Sequence, residues 1–251
     1  MALSNEDLDT DFPHAARIWN YWMGGTDNFP ADRAAGDAVA QVYPEIVRMA
    51  QYSRGFLIRA VRYLAEEAGI RQFLDIGTGL PVMQNTHQVA PDAKVVYVDI
   101  DPMVADTPLE GAATFVRADY HDPEAILAAA AEVLDFRQPI AVMFMGVLGY
   151  EPDDQVFRSI VSRTLAPLEA DSFLVLWDGT NTTPEVVEGA RRLAESGGVP
   201  YVLRSPSVLA TAFDGLQLID PGLVQITHWR PEDTAPPAIE AYGAVARKLP
   251  S

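Results

Sequence analysis

Gln72-Phe73-Leu74-Asp75-Ile76-Gly77-Thr78-Gly79-Leu80-Pro81 reads as a short buried strand that runs into a glycine turn and then into a helix. Glycine lets the backbone turn tightly and lets a ligand approach with no Cβ in the way. Pro81 suits the first turn of the helix that follows, where its missing N–H costs nothing. About twenty residues further on, Lys94-Val95-Val96-Tyr97-Val98-Asp99 reads as a second strand ending in an acid. A glycine turn followed by an acid at that distance is the geometry of a nucleotide pocket. The acid then binds the ribose hydroxyls of a ligand lying across the strand ends.

A dinucleotide fingerprint needs a third glycine three positions after the second. Val82 stands there, so the pyrophosphate-binding turn is incomplete. Asp75, two residues before the first glycine, is a poor neighbour for a pyrophosphate and a good one for a cationic ligand. Both features count against a nicotinamide-dependent reductase. The Asp75-x-Gly77-x-Gly79 pattern resembles the first motif of S-adenosylmethionine (SAM) methyltransferases. That resemblance implies ribose binding by Asp99. It also implies that Asp119, closing Phe115-Val116-Arg117-Ala118-Asp119, sits near the adenine amino group. Thr78, Ile100 and Tyr120 adjoin these positions and are expected on the same wall. The plainer reading makes the three acids ordinary strand-ending turn residues, but all three fall on the ligand-binding edge of an open α/β sheet.

A second resemblance covers nearly the whole chain. Ala15-Ala16-Arg17-Ile18-Trp19-Asn20-Tyr21-Trp22-Met23-Gly24-Gly25-Thr26-Asp27-Asn28-Phe29, followed by Ala31-Asp32-Arg33, is similar to the amino-terminal box of a bacterial S-adenosyl methyltransferase family formerly known as a domain of unknown function. The similarity continues through 73–81, 97–102, 213–216 and 220–224. Thr26 departs from the family pattern, where a lysine is usual, and so does Gly149-Tyr150, where His-Phe is usual. The interval from Asp101 to Ala113 is short, which predicts a stunted helix. These departures bear on the acceptor more than on the cofactor, SAM, with S-adenosylhomocysteine (SAH) as product. Tyr21, Asp27, Asn28 and Arg33 are expected to face cofactor or acceptor, with Trp22 and Phe29 anchoring the loop on the core. The plainer alternative is a glycine turn carrying Asp and Asn.

The 251 residues suit one α/β unit with an extension, and 49% hydrophobic residues suffice for a core. A formal net charge of −17, with Lys94 and Lys248 the only lysines, argues against nucleic acid as partner. With no cysteine, disulfides, zinc–thiolate sites and cysteine nucleophiles are excluded. His14, His87, His121 and His228 show no metal-ligand spacing, so no metal is expected. The acidic start lacks a signal-peptide core, and no apolar run nears about 20 residues. The expectation is therefore a cytoplasmic protein without membrane contact, with a homodimer as one open option.

Expected helices span 13–23, 32–42, 44–68, 123–134, 153–167, 184–196 and 206–213. Expected strands span 72–76, 94–99, 113–117, 140–145 and 173–177, and 217–228 with 241–249 form a closing hairpin. Strands alternating with helices predict a parallel sheet. The fold class is thus a Rossmann-like class I methyltransferase fold: a mostly parallel seven-stranded sheet with a carboxy-terminal antiparallel hairpin. Residues 1–69 are expected as a helical cap and 70–251 as the cofactor-binding unit.

In methyl transfer from a sulfonium the cofactor carries the reactivity and the protein aligns the partners. No obligatory catalytic residue can therefore be read. Candidates are Tyr150, Glu151, Asp153, Asp178 and Asn181 after strands four and five, and His121 as a base. Glu151 and Asp153 also suit a helix start, Asp178-Gly179 a turn, and His121 a surface loop. The expected function is methyl transfer to a small molecule, with secondary metabolism as one setting for it. The alternative is a cofactor-binding protein or sensor that transfers nothing.

Overall fold

The computed structural model describes residues 9–80, 84–105 and 111–250. Five parallel strands come first: β1 (Gln72–Ile76), β2 (Lys94–Asp99), β3 (Ala113–Arg117), β4 (Ala141–Met145) and β5 (Phe173–Gly179). β6 (Leu216–Leu218), the two-residue β7 (Val224–Gln225) and β8 (Ala241–Lys248) close the sheet. The order is β3-β2-β1-β4-β5-β8-β6, with β8 antiparallel to both neighbours and β7 added beside β8. Seven strands on one path with an antiparallel carboxy-terminal pair is the expected architecture. Strand order reverses between β1 and β4, which places a ligand crevice above their carboxyl ends.

The expected bounds hold for β1, β2 and β3. β5 runs two residues further than expected, because Asp178 and Gly179 pair with Tyr242 and Ala241 of β8. The reading of Asp178-Gly179 as a turn is therefore corrected.

Side chains alternate across the sheet with period two. One face carries Phe73, Val95, Tyr97, Met143 and Val175. Helices α1 (Ala15–Trp22), α2 (Pro30–Val42) and α3 (Glu45–Arg62) share a core with this face. The opposite face carries Leu74, Val96, Val142 and Leu174 and packs on α6 (Pro123–Ala130), α7 (Asp154–Leu165) and α9 (Pro206–Ala210). Two four-residue helices, α4 (Thr86–Val89) and α5 (Pro102–Ala105), follow β1 and β2, and α8 (Pro184–Glu195) follows β5. α5 falls in the short interval where the sequence predicts a stunted helix, and residues 106–110 after it lie outside the described residues.

Asn85 is the extended residue that caps α4, and the helix start expected at Pro81 falls outside the described residues, as does Val82. α3 ends in a π-helical turn, Tyr63–Glu67, and Gly69 at φ +74° then leads out toward β1.

The amino-terminal helices are integral to the core. Ile18 and Trp22 of α1 and Val39 of α2 are buried in it. Full burial of such a side chain is worth about 1.5–3 kcal/mol, so α1 is held by a few kcal/mol. α3 contributes Met49, Phe56, Leu57, Val61 and more, a far stronger attachment. At α8, Gly189 lets α2 come close: an added Cβ would stand 3.1 Å from Tyr43 Cβ and 3.4 Å from Val39.

Candidate functional site

A cavity of about 360 Å3 opens above the carboxyl ends of β1, β2 and β4. Gly77, Thr78, Gly79, Asp75, Asp99, Ile100, Asp119 and Tyr120 all line it. The sheet wall therefore gathers every cofactor-side residue expected from the strand ends, whereas the candidate Asp178 of β5 does not line it.

The two glycines act differently. Gly77 has φ +72° and its N–H donates to Val98 O at 2.7 Å. A Cβ there would lie 2.3 Å from Val147 Cγ2, so the loop after β4 excludes any other residue. Gly79 has φ +65°, and nothing stands within 4 Å of its missing Cβ. That side of the turn faces open space.

Asp99 fastens the turn. Its Oδ2 accepts from Gly79 N at 2.8 Å and its Oδ1 from Asp101 N at 2.9 Å. Burial raises its pKa, against the two backbone donors. A carboxylate oxygen has two lone pairs, so each can also take a ligand hydroxyl. Ile100, 53% exposed, offers an apolar surface beside it.

Asp75 lies on the helix-bearing face with Phe73. Its Oδ2 accepts from Thr86 Oγ1 at 2.9 Å, and its Oδ1 is buried without a partner. Burial pushes its pKa up to about 6, opposed by Thr86 and by the positive field of Arg54. Arg54 of α3 is itself buried, with its pKa lowered by burial, and donates to Asn85 Oδ1 at 3.3 Å. Arg54 was not singled out in the sequence. The signal was there: Ser53-Arg54 interrupts the apolar stripe of Met49, Ala50, Phe56 and Leu57.

Asp119 and His121 form a chain with Glu151. His121 Nδ1 is 2.7 Å from Asp119 Oδ1, and Nε2 is 2.8 Å from Glu151 Oε2. Both ring nitrogens face carboxylates, so the bonds are met when both donate. Those two bonds, with the charges behind them, raise the His121 pKa above its ordinary value despite burial. His121 is thus a link between two carboxylates rather than a free base. Glu151 Oε1 also accepts from Asp153 N at 2.6 Å, and Asp153 caps α7.

Asp178 is buried at the end of β5. Its Oδ1 accepts from Tyr201 Oη at 2.6 Å and from Gly149 N at 3.1 Å, and its Oδ2 is buried with no partner. Burial pushes its pKa up to about 7. Tyr150 and Tyr201 line the cavity and meet edge to face, centroids 4.9 Å apart. Gly149 makes room for the Tyr201 ring, which a Cβ would contact at 2.1 Å. Asn181, by contrast, is exposed and does not line the cavity.

The roof differs from expectation in its residues. Tyr21, Asp27 and Asn28 do not line the cavity. Tyr21 Oη donates to Asp37 at 2.8 Å, and Asn28 Nδ2 donates to Asn20 Oδ1 and Gly25 O. Asp27 is exposed, and Arg33 donates to Asn28. These polar groups are spent on the connection between α1 and α2. The roof is instead His14, Ala15, Ala16, Trp19, Trp22 and Met23, with parts of α2, α3 and α8. It is fastened to the sheet wall by His14 Nδ1, 2.9 Å from Asp101 Oδ2, while Asp32 Oδ1 accepts from His14 N at 2.8 Å.

A glycine turn, a buried acid facing it and a second acid at the next strand end, under a helical roof, define a nucleotide-cofactor enzyme of the class I methyltransferase fold. A family profile described as S-adenosyl methyltransferase matches residues 1–249, and the chain belongs to that family. It is 39% identical to a DUF574 family protein from Streptomyces avermitilis, over 96% of this chain and 99% of that one, with a TM-score of 0.89. It is 35% identical, over the whole of both chains, to a candidate methyltransferase from Thermobifida fusca, with a TM-score of 0.90. A SAM-dependent methyltransferase from Anabaena variabilis, at 13% identity over 79% of this chain and 92% of that one, shares the fold with a TM-score of 0.51. No curated protein matches the chain. No helix among the described residues is long and apolar enough to cross a membrane.

Proposed function

We propose that the chain transfers a methyl group from SAM to a small-molecule acceptor held under the amino-terminal roof. The observation that carries this is the cavity itself. One wall is the glycine turn with Asp75 and Asp99, and the roof is apolar and aromatic. The residues fit the cofactor: Asp75 Oδ1 is an unpartnered buried carboxylate at the cavity, as a cationic ligand requires. Asp99 and Ile100 would hold the ribose and adenine side, and Asp119 with Tyr120 the far end. SAM supplies an activated methyl on a sulfonium. The protein's part is to align the acceptor, exclude water and take up any proton released.

Calorimetry with SAM, SAH, NAD and NADP tests the cofactor assignment, and Asp99→Ala sharpens it. The variant should keep its fold and lose about 1.5–3 kcal/mol of SAH affinity, the worth of hydrogen bonds to a charged group. Unchanged affinity in a folded variant would place the ribose elsewhere. Tighter binding of NAD than of SAH would end the methyltransferase reading. Turnover of methyl-labelled SAM against a metabolite panel separates the enzyme from a sensor.

A pH dependence follows from Asp75. Its pKa of about 6 belongs to a carboxyl that a cation would ionise. Affinity for cationic SAM, relative to SAH, should therefore rise with pH. If only the ionised form binds SAM, the gain from pH 5 to pH 7 is about tenfold. Asp75→Asn should flatten the curve. A SAM-to-SAH ratio independent of pH in the unaltered protein would show that Asp75 does not face the sulfonium.

A further inference from the structure

We propose that the acceptor is an uncharged aromatic molecule carrying an oxygen function, seated between the roof and β5 with that oxygen on the Trp177 Nε1–H. This rests on the methyltransferase reading and narrows it to a substrate class.

The cavity has two unlike halves. Its carboxylates, Asp75, Asp99 and Asp119, all belong to the cofactor wall. The half beyond is built from Trp19, Trp22, Met23, Tyr150, Trp177 and Tyr201, with aliphatic side chains of α8 behind them. No lysine lines the cavity, and among the described residues its single arginine is Arg54, beside Asp75. His14 is engaged with Asp101, and His121 with two carboxylates. An anionic acceptor would meet no available cation in the aromatic half, and a cationic one no carboxylate on its lining, since Asp178 stands behind Tyr201 and is engaged by its hydroxyl. Desolvating either without a partner is prohibitive. A neutral body is the one the walls accept.

The aromatic composition makes that body flat. Trp19 and Trp177 lie with centroids 5.8 Å apart and planes tilted by 32°, and Trp22 meets Trp19 edge-on at 5.5 Å. Rings and conjugated systems pack against such faces and edges better than branched aliphatics do.

Trp177 supplies the polar anchor. The residue is 2% exposed, lines the cavity, and its Nε1 is buried with no hydrogen-bond partner. Buried donors in native proteins are nearly always met, and indole nitrogen can only donate. Its missing partner is therefore an acceptor atom, such as the oxygen of a phenol or ring carbonyl. Gly146 keeps this arrangement in place, since a Cβ there would lie 2.6 Å from the Trp177 ring.

The test is calorimetry on the full chain saturated with SAH, using 2-naphthol, 2-naphthoate and 2-naphthylmethylamine as probes. 2-Naphthol should bind at least tenfold more tightly than either charged analogue. Trp177→Phe should cost at least fivefold in 2-naphthol affinity and leave SAH affinity unchanged. If that variant does not fold, the preference of the unaltered protein decides alone. SAH binding without a preference for 2-naphthol overturns the substrate class and spares the cofactor assignment. Failure of SAH to bind overturns the methyltransferase reading and this proposal with it.

Discussion

Asp178→Asn is expected to slow methyl transfer to a hydroxyl or amine acceptor by about 10²–10⁴-fold, the usual worth of a positioned general base. Asp178 acts through Tyr201, a residue of the cavity lining whose hydroxyl already donates to Asp178 Oδ1 at 2.6 Å. A proton leaving the acceptor can pass to Tyr201 Oη as the tyrosine's own proton moves to the carboxylate. The pKa of about 7 suits this role, because such a carboxylate is ionised in part and still basic enough to accept. Its sign fixes the pH profile. The acid must be ionised to act, so turnover should climb as pH rises through about 7 and then level off. In Asp178→Asn that limb should vanish while SAH affinity holds. Wild-type turnover in the variant, or an unchanged limb, would reduce Asp178 to a structural partner of Gly149 and Tyr201.

Arg204→Ala is expected to give the largest loss of stability among single substitutions near the site. Its side chain is 2% exposed, and Nε pairs with Asp154 Oδ1 at 2.8 Å. Nη1 donates to Leu148 O at 3.0 Å and Nη2 donates to Glu151 O, while the guanidinium lies 4.3 Å over the Phe157 ring. Alanine would leave buried carbonyls without donors and open a hole beside Phe157. Breaking a buried pair costs about 3–5 kcal/mol. Asp154 remains 47% exposed and can be solvated, so the lower figure applies. For a protein of this size that is roughly 6–12 °C in melting temperature. Arg204→Lys should recover only part, because a lysine lacks the planar fork. A shift under 2 °C in Arg204→Ala would contradict the assignment.

Much of the sheet was legible, because β1, β2 and β3 are apolar runs with an acid at or within two residues of their carboxyl ends. The glycine turn and its acids were legible for the same reason: their chemistry is local to strand ends. The roof was not. Sequence shows that Tyr21, Asp27 and Asn28 can hydrogen-bond, but not that Asp37, Asn20 and Gly25 already serve two of them. For Trp19 and Trp22 the sequence left core packing and a lid over the cofactor both open, and the two residues pack on the core and line the cavity as well. Trp177 closed a strand in the sequence, and its unmet N–H depends on what surrounds it. Asp178 stood as a candidate after strand five, with a turn as the plainer alternative; that alternative fails because the strand is lengthened by pairing with β8, some sixty residues later.

The alternation along β1 has a consequence for how such an enzyme can diversify. Asp75 and Phe73 point to the roof, while Leu74 and Ile76 point into the opposite core. A one-residue insertion in β1 would exchange these sets. It would drive a carboxylate in among Leu127, Phe144 and Leu148, and Gly77 would no longer meet Val147. The cofactor wall is thus frozen in length as well as in composition. α1, held by Ile18 and Trp22 in the core and by polar bonds of Arg17 and Trp22, has no such register constraint. New acceptor preferences would then arise by changing side chains on the roof, leaving the strand that reads the cofactor untouched.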